Sequence, residues 1–96
     1  MTKQEVITAL ESNKETIKER FKAEIIGIFG SFARGESDNP HDIDFLVEFK
    51  DGAGLLDLSG LGIYLEDLLG IPVDIVSKRA LRKELESVVY QDLISI

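Results

Sequence analysis

Residues 24–49 read Glu-Ile-Ile-Gly-Ile-Phe-Gly-Ser-Phe-Ala-Arg-Gly-Glu-Ser-Asp-Asn-Pro-His-Asp-Ile-Asp-Phe-Leu-Val-Glu-Phe. Two β-branched and aromatic runs bracket a segment rich in Gly, Ser, Asp, Asn and Pro. Glu24–Phe29 is expected to form a buried strand, ended by Gly30-Ser31. Phe32-Ala33-Arg34 then makes a short helical turn, and Gly35–His41 a loop. Ile43–Phe49 is the second strand. In it Ile43, Phe45, Val47 and Phe49 alternate with Asp44, Leu46 and Glu48, so one set is expected inside and the other outside. Asp51-Gly52 marks the next turn.

Outward from this core the pattern is helical on both sides. Residues 2–22 suit one amphipathic helix with Val6, Leu10, Ile17 and Phe21 on a face, and Thr2 and Glu5 are spaced for a capping box. Residues 55–69 suit a second, with Leu58, Leu61, Leu65, Leu68 and Leu69 in a stripe. Gly60 and Gly62 inside it each cost about 1 kcal/mol relative to Ala, and Gly70-Ile71-Pro72 stops it. Val73–Val76 is a third strand. Ser77 is placed to cap a last helix, Lys78–Tyr90, and Asp92–Ile96 either continues it or adds an edge strand. The order is α, β, short α, β, α, β, α, an α/β chain with a small sheet flanked by helices.

The 96 residues make one domain, 1–96, with a small core. The net charge is −7, with 11 Lys and Arg against 18 Asp and Glu, which argues against direct nucleic-acid binding through phosphate-backbone contacts. With no cysteine, disulfides and thiolate chemistry are excluded. No signal-peptide h-region or membrane-spanning run is visible, so a cytoplasmic location is expected.

Asp42 and Asp44 lie on one face of a strand, about 7 Å apart. Such carboxylates repel unless cations sit between them, and Mg²⁺ takes carboxylate oxygens together with substrate phosphates. Asp74, in Pro72-Val-Asp-Ile-Val76, is a third acid within an apolar strand, and joins them if that strand lies beside the second. Gly30-Ser31 stands where a strand enters a helix: Gly allows close backbone approach, and the helix start offers free N–H groups suited to phosphate. Arg34, one turn on, can supply charge-assisted bonds to a leaving pyrophosphate. Each feature alone has a plainer reading, as a turn, a solvated strand start or a surface cation. Their spacing together favours metal and phosphate. An EF-hand loop is a poor alternative, because its sixth-position Gly and twelfth-position Glu are missing for any start at Asp38, Asp42 or Asp44.

Gly30-Ser31, ten residues, then Asp42-x-Asp44 resembles the signature of the polymerase-beta-like nucleotidyltransferase superfamily. The string Gly30-Ser31-Phe32-Ala33-Arg34-Gly35 and the later Val73-Asp74-Ile75-Val76 are similar to those of its minimal, antitoxin-type nucleotidyltransferases. The resemblance covers nearly the whole chain. It implies the nucleotidyltransferase fold with a mixed sheet, two Mg²⁺ ions held by Asp42, Asp44 and Asp74, and ATP phosphates on Gly30 and Ser31. It also implies transfer of AMP to a hydroxyl, a tyrosine, of a partner HEPN-type toxin, as in a type VII-like toxin–antitoxin pair. A homo-oligomer or a hetero-oligomer with the toxin is compatible with it. His41 departs from the family pattern, in which a small Ser precedes the first metal Asp; it puts substrate fit in question, not the metal ligands. The competing reading is a non-catalytic antitoxin that neutralises its partner by contact. A drug-modifying nucleotidyltransferase is weaker, since it needs a further domain.

Two further features depend on placement. Leu55, Leu56 and Ile63 on the outer side of the second helix would mark a protein interface if exposed. The cluster Lys78-Arg79 and Arg82-Lys83 is a solvated face, or steers ATP if it lies close to the acids.

Overall fold

A computed structural model describes residues 1–36 and 42–96. The elements are α1 (Lys3–Ser12), α2 (Lys14–Phe21), β1 (Ala23–Phe29), α3 (Gly30–Arg34), β2 (Ile43–Phe49), α4 (Leu55–Leu69), β3 (Val73–Ser77), α5 (Lys83–Asp92) and β4 (Ile94–Ser95). A 3-10 turn, Lys78–Ala80, follows β3. The loop expected at 35–41 and His41 fall largely or wholly outside the described residues.

The sheet is mixed, in the order β3-β2-β1-β4. β1 runs antiparallel to both β2 and β4, and β2 runs parallel to β3. A register shift between Ile25 and Gly27 places a bulge in β1. One face carries the main core: Ile28, Ile43, Phe45 and Val47 pack with Val6, Leu10, Ile17, Phe21, Leu61 and Leu65 of α1, α2 and α4. The fourth strand is the edge strand that the tail left open.

Three expectations change. The single helix over 2–22 is two, broken at Asn13. Its side-chain Nδ2 donates to the Ala9 carbonyl at 2.8 Å, and its Oδ1 accepts from the Tyr64 hydroxyl at 2.6 Å. An Asn side chain that competes for backbone in this way ends a helix. The capping box at the start of α1 does form, with Thr2 N–H on Glu5 Oε1 at 2.9 Å and Glu5 N–H on Thr2 Oγ1 at 3.1 Å.

The helix expected over Lys78–Tyr90 is also divided. Ser77 makes no capping bond, and Leu81 and Arg82 are extended before α5 begins. This break turns the chain from the end of β3 so that α5 packs on β1 and α3.

Finally, Leu46 is fully buried although it alternates onto the face of Asp44. Leu46 and Val89 of α5 are the buried apolar residues outside the main core cluster. Both faces of the sheet are therefore covered over part of their area, which period-two alternation does not reveal.

Gly60 explains itself in three dimensions. A Cβ there would lie 3.0 Å from Phe21 Cε1, so the glycine lets α4 approach α2 closely.

Candidate active site

β1 and β2 are antiparallel neighbours and β2 and β3 parallel ones, so the end of β1 meets the starts of β2 and β3. In register, Phe29 faces Asp44, and Asp44 faces Asp74. Residues directly opposite share a face, so the second and third acids of the sequence reading lie side by side. Asp42 sits just before β2 and is exposed, as is Asp74, while Asp44 is half-buried.

Gly30 follows Phe29 at this same edge. Its φ is +80°, and a Cβ at this position would run into the Asp44 carboxylate. Only glycine satisfies both demands, so the turn and the acid form one constellation. Ser31 lies half-buried in the first turn of α3.

Burial raises the Asp44 carboxyl above its ordinary range, and the negative charges of Asp74 and Asp42 push it further. The Arg34 guanidinium pulls in the opposite direction. A half-buried acid with two acidic neighbours is a site that gains from a cation.

Arg34 itself is engaged. Its Nε donates to Glu36 Oε1 at 2.7 Å, Nη2 donates to Glu36 Oε2 at 3.2 Å, and Nη1 donates to Asp92 Oδ2 at 2.7 Å. Those hydrogen bonds hold the guanidinium more firmly protonated and draw the Glu36 carboxyl below its usual range. A phosphate at Arg34 would compete with two carboxylates for the same donors. Glu36 and Asp92 were not singled out in the sequence. Glu36 is only two residues away, but Asp92 is 58 residues distant and carries no local signal.

Lys78 and Arg79 are not near this edge. They follow the opposite end of β3 from Asp74, roughly 13 Å along the strand at about 3.3 Å per residue. There they face Glu48 and Asp51, each at 3.5 Å. Steering of ATP from that position is not supported.

The donor chemistry fits a hard divalent cation: the acids at the edge offer carboxylate oxygens, with Asp44 short of compensating charge. Among the described residues no three His, Cys, Asp or Glu side chains are already gathered into a metal cage. Asp42, Asp44 and Asp74 share an edge but do not converge on one point.

Comparison with known proteins agrees with this geometry. A family profile for the nucleotidyltransferase domain matches residues 10–96, and the chain belongs to that family. It is a minimal nucleotidyltransferase. The protein adenylyltransferase MntA of Thermococcus cleftensis is 36% identical over 96 residues, covering 100% of this chain and 97% of the relative. A solved structure described as a minimal nucleotidyltransferase superposes with a TM-score of 0.75 at 38% identity, covering 100% of this chain and 97% of that one. The MNT antitoxin complex with an AMPylated HEPN toxin of Shewanella oneidensis gives a TM-score of 0.61 at 24% identity, covering 96% of this chain and 66% of that one; this likeness concerns the fold. Among the described residues, no helix is long and apolar enough to cross a membrane.

Proposed function

We propose that this chain is a Mg²⁺-dependent protein adenylyltransferase that moves AMP from ATP to a hydroxyl, a tyrosine, of a HEPN-type toxin and so acts as its antitoxin. The observation that carries the reading is Asp44, half-buried, in register with Asp74 and abutting Gly30. The names of the relatives support it: one is a protein adenylyltransferase, and another solved neighbour at 26% identity is a toxin–antitoxin with AMP-PNP.

In this reaction the acceptor oxygen bonds to the α-phosphorus and the bond to the bridging oxygen breaks, releasing pyrophosphate. Asp42, Asp44 and Asp74 would hold the two ions. Bound divalent metal supplies charge neutralisation on the phosphates and a lower pKa for the acceptor hydroxyl. Gly30 admits the phosphates close to the backbone, and the Ser31 hydroxyl donates to them. Arg34 serves the leaving group by exchanging a carboxylate partner for phosphate.

Incubation with labelled ATP, Mg²⁺ and the protein encoded beside it tests the proposal. Label should pass to the partner with wild type and not with Asp44→Ala; equal labelling by both sinks it.

A second reading, neutralisation by contact, would use a surface that the catalytic reading needs as well. Leu55, Leu56 and Ile63 are 78%, 88% and 63% exposed on the outer side of α4. An apolar strip of this kind suits a protein partner whether or not chemistry follows. Neutralisation that survives Asp42→Ala together with Asp44→Ala would establish this second reading.

A further inference from the structure

α5 ends on an acid, against its own dipole. A carboxylate in the last turn of a helix meets the partial negative charge of unpaired carbonyls, and α5 has no basic residue there to offset it. Asp92, the last residue of α5, is therefore not explained by the helix that carries it. Its Oδ2 accepts instead from Arg34 Nη1 at 2.7 Å. Topology brings the two together. β4 follows α5 directly and pairs antiparallel with β1, Ile94 opposite Ile28 and Ser95 opposite Gly27. Continuing this register sets Leu93 level with Phe29 and brings Asp92 close to the level of Gly30. Asp92 thus reaches the edge that carries Gly30, Asp44 and Asp74. Arg34, one turn past Gly30 in α3, lies close enough to Asp44 to pull on its carboxyl.

The two carboxylates on Arg34 are mounted differently. Glu36 takes Nε and Nη2 with a side chain that is 57% exposed. It stands just past Gly35, where α3 has ended, and rotation of its long side chain releases it to water with no movement of the backbone. The Asp92 side chain is shorter and only 21% exposed. Its backbone is fixed on both sides, by buried Val89 one turn before and by β4 immediately after. Parting Glu36 from Arg34 leaves a hydrated charge, whereas parting Asp92 leaves a poorly hydrated one. The Nε and Nη2 donors that Glu36 covers are also a parallel pair suited to two oxygens of a phosphate.

We propose that Asp92 is a positioning residue for nucleotidyl transfer: it holds the Arg34 guanidinium in place while a phosphate of the leaving pyrophosphate takes the donors that Glu36 covers. This rests on the role given to Arg34 in the proposed function. A free arginine loses rotamer freedom when a ligand fixes it, and a carboxylate that fixes it beforehand removes that cost from binding. The opposing effect is repulsion between Asp92 and the phosphates, which pairing with Arg34 offsets. The two acids then have opposite signs: Asp92 favours pyrophosphate and Glu36 competes with it.

Calorimetric titration of pyrophosphate with Mg²⁺ into the full chain tests this. Asp92→Ala should weaken binding about fivefold, within what ordering one rotamer-rich side chain costs, and Glu36→Gln should tighten it about twofold, as expected for release of an exposed ion pair. In an Arg34→Ala background, adding Asp92→Ala should change nothing further, which separates positioning of Arg34 from a general loosening of α5. Asp92→Asn keeps the shape without the charge; it should weaken binding too, and carries the test if the alanine variant does not fold. Unchanged or tighter binding by the Asp92 variants overturns the inference. So does an equal loss in the Arg34→Ala background, weaker binding by Glu36→Gln, or no binding by wild type. Pyrophosphate binding needs neither an acceptor nor transfer, so failure to label a toxin leaves this result standing, and equal binding by every variant sinks the inference with transfer intact.

Discussion

Replacing Asp44 with Asn should stabilise the metal-free protein while abolishing transfer. The carboxyl of Asp44 titrates above its ordinary value because it is half-buried and faces Asp74, with Asp42 nearby. A group whose folded pKa is raised contributes stability below its unfolded pKa and loses it as pH rises through the folded value. Ionised Asp44 is therefore a burden at neutral pH, and the amide removes it. Like charges directly opposite in a sheet cost up to about 1 kcal/mol, and solvent at this half-exposed edge holds the gain near that figure. In a domain of this size 1 kcal/mol moves the melting temperature by about 4–8 °C. Thermal melts in EDTA from pH 4 to pH 8 should show Asp44→Asn melting above wild type at pH 8, with the gap closing toward pH 4. Adding Mg²⁺ should then raise the wild type and leave the variant nearly unmoved. A gap of constant size across the pH range, or none at pH 8, would show that the crowded carboxylates are not what destabilises this edge.

Gly30→Ala should lose transfer activity by more than its loss of stability explains. The substitution strains a φ of +80° and drives a methyl into the Asp44 carboxylate, so a comparison of kcat with melting temperature separates the two effects. Tyr64→Phe removes the 2.6 Å bond to Asn13 and should cost about 1 kcal/mol in urea unfolding, with activity unchanged. Leu55→Asp with Leu56→Asp should leave the melting temperature within a few degrees of wild type, because both side chains are exposed, and weaken partner capture in a pull-down; unaltered capture would remove α4 from the interface.

Local pattern was enough for most elements of this fold. The alternation from Ile43 to Phe49, the Leu stripe of α4 and the Thr2–Glu5 capping box all rest on neighbours within a few residues. Boundaries failed where a distant group decided them. Asn13 breaks the first helix partly because Tyr64, 51 residues away, holds its side chain. Leu46 looked outward-facing until α5 folded back over its side of the sheet.

The site divides along the same line. Sequence by itself determined the chemistry on offer: Gly30-Ser31, three aspartates near strand ends, a single Arg one turn beyond, and an excess of acidic over basic residues. Tertiary structure alone decided which of these meet. Parallel pairing of β2 with β3 sets Asp44 against Asp74, while antiparallel pairing of β1 with β2 brings Gly30 onto Asp44. The same topology sends Lys78 and Arg79 to the far end of the sheet and ties Arg34 to Asp92. Strand direction and register depend on burying apolar residues far apart in the chain, and no short stretch of sequence carries that information.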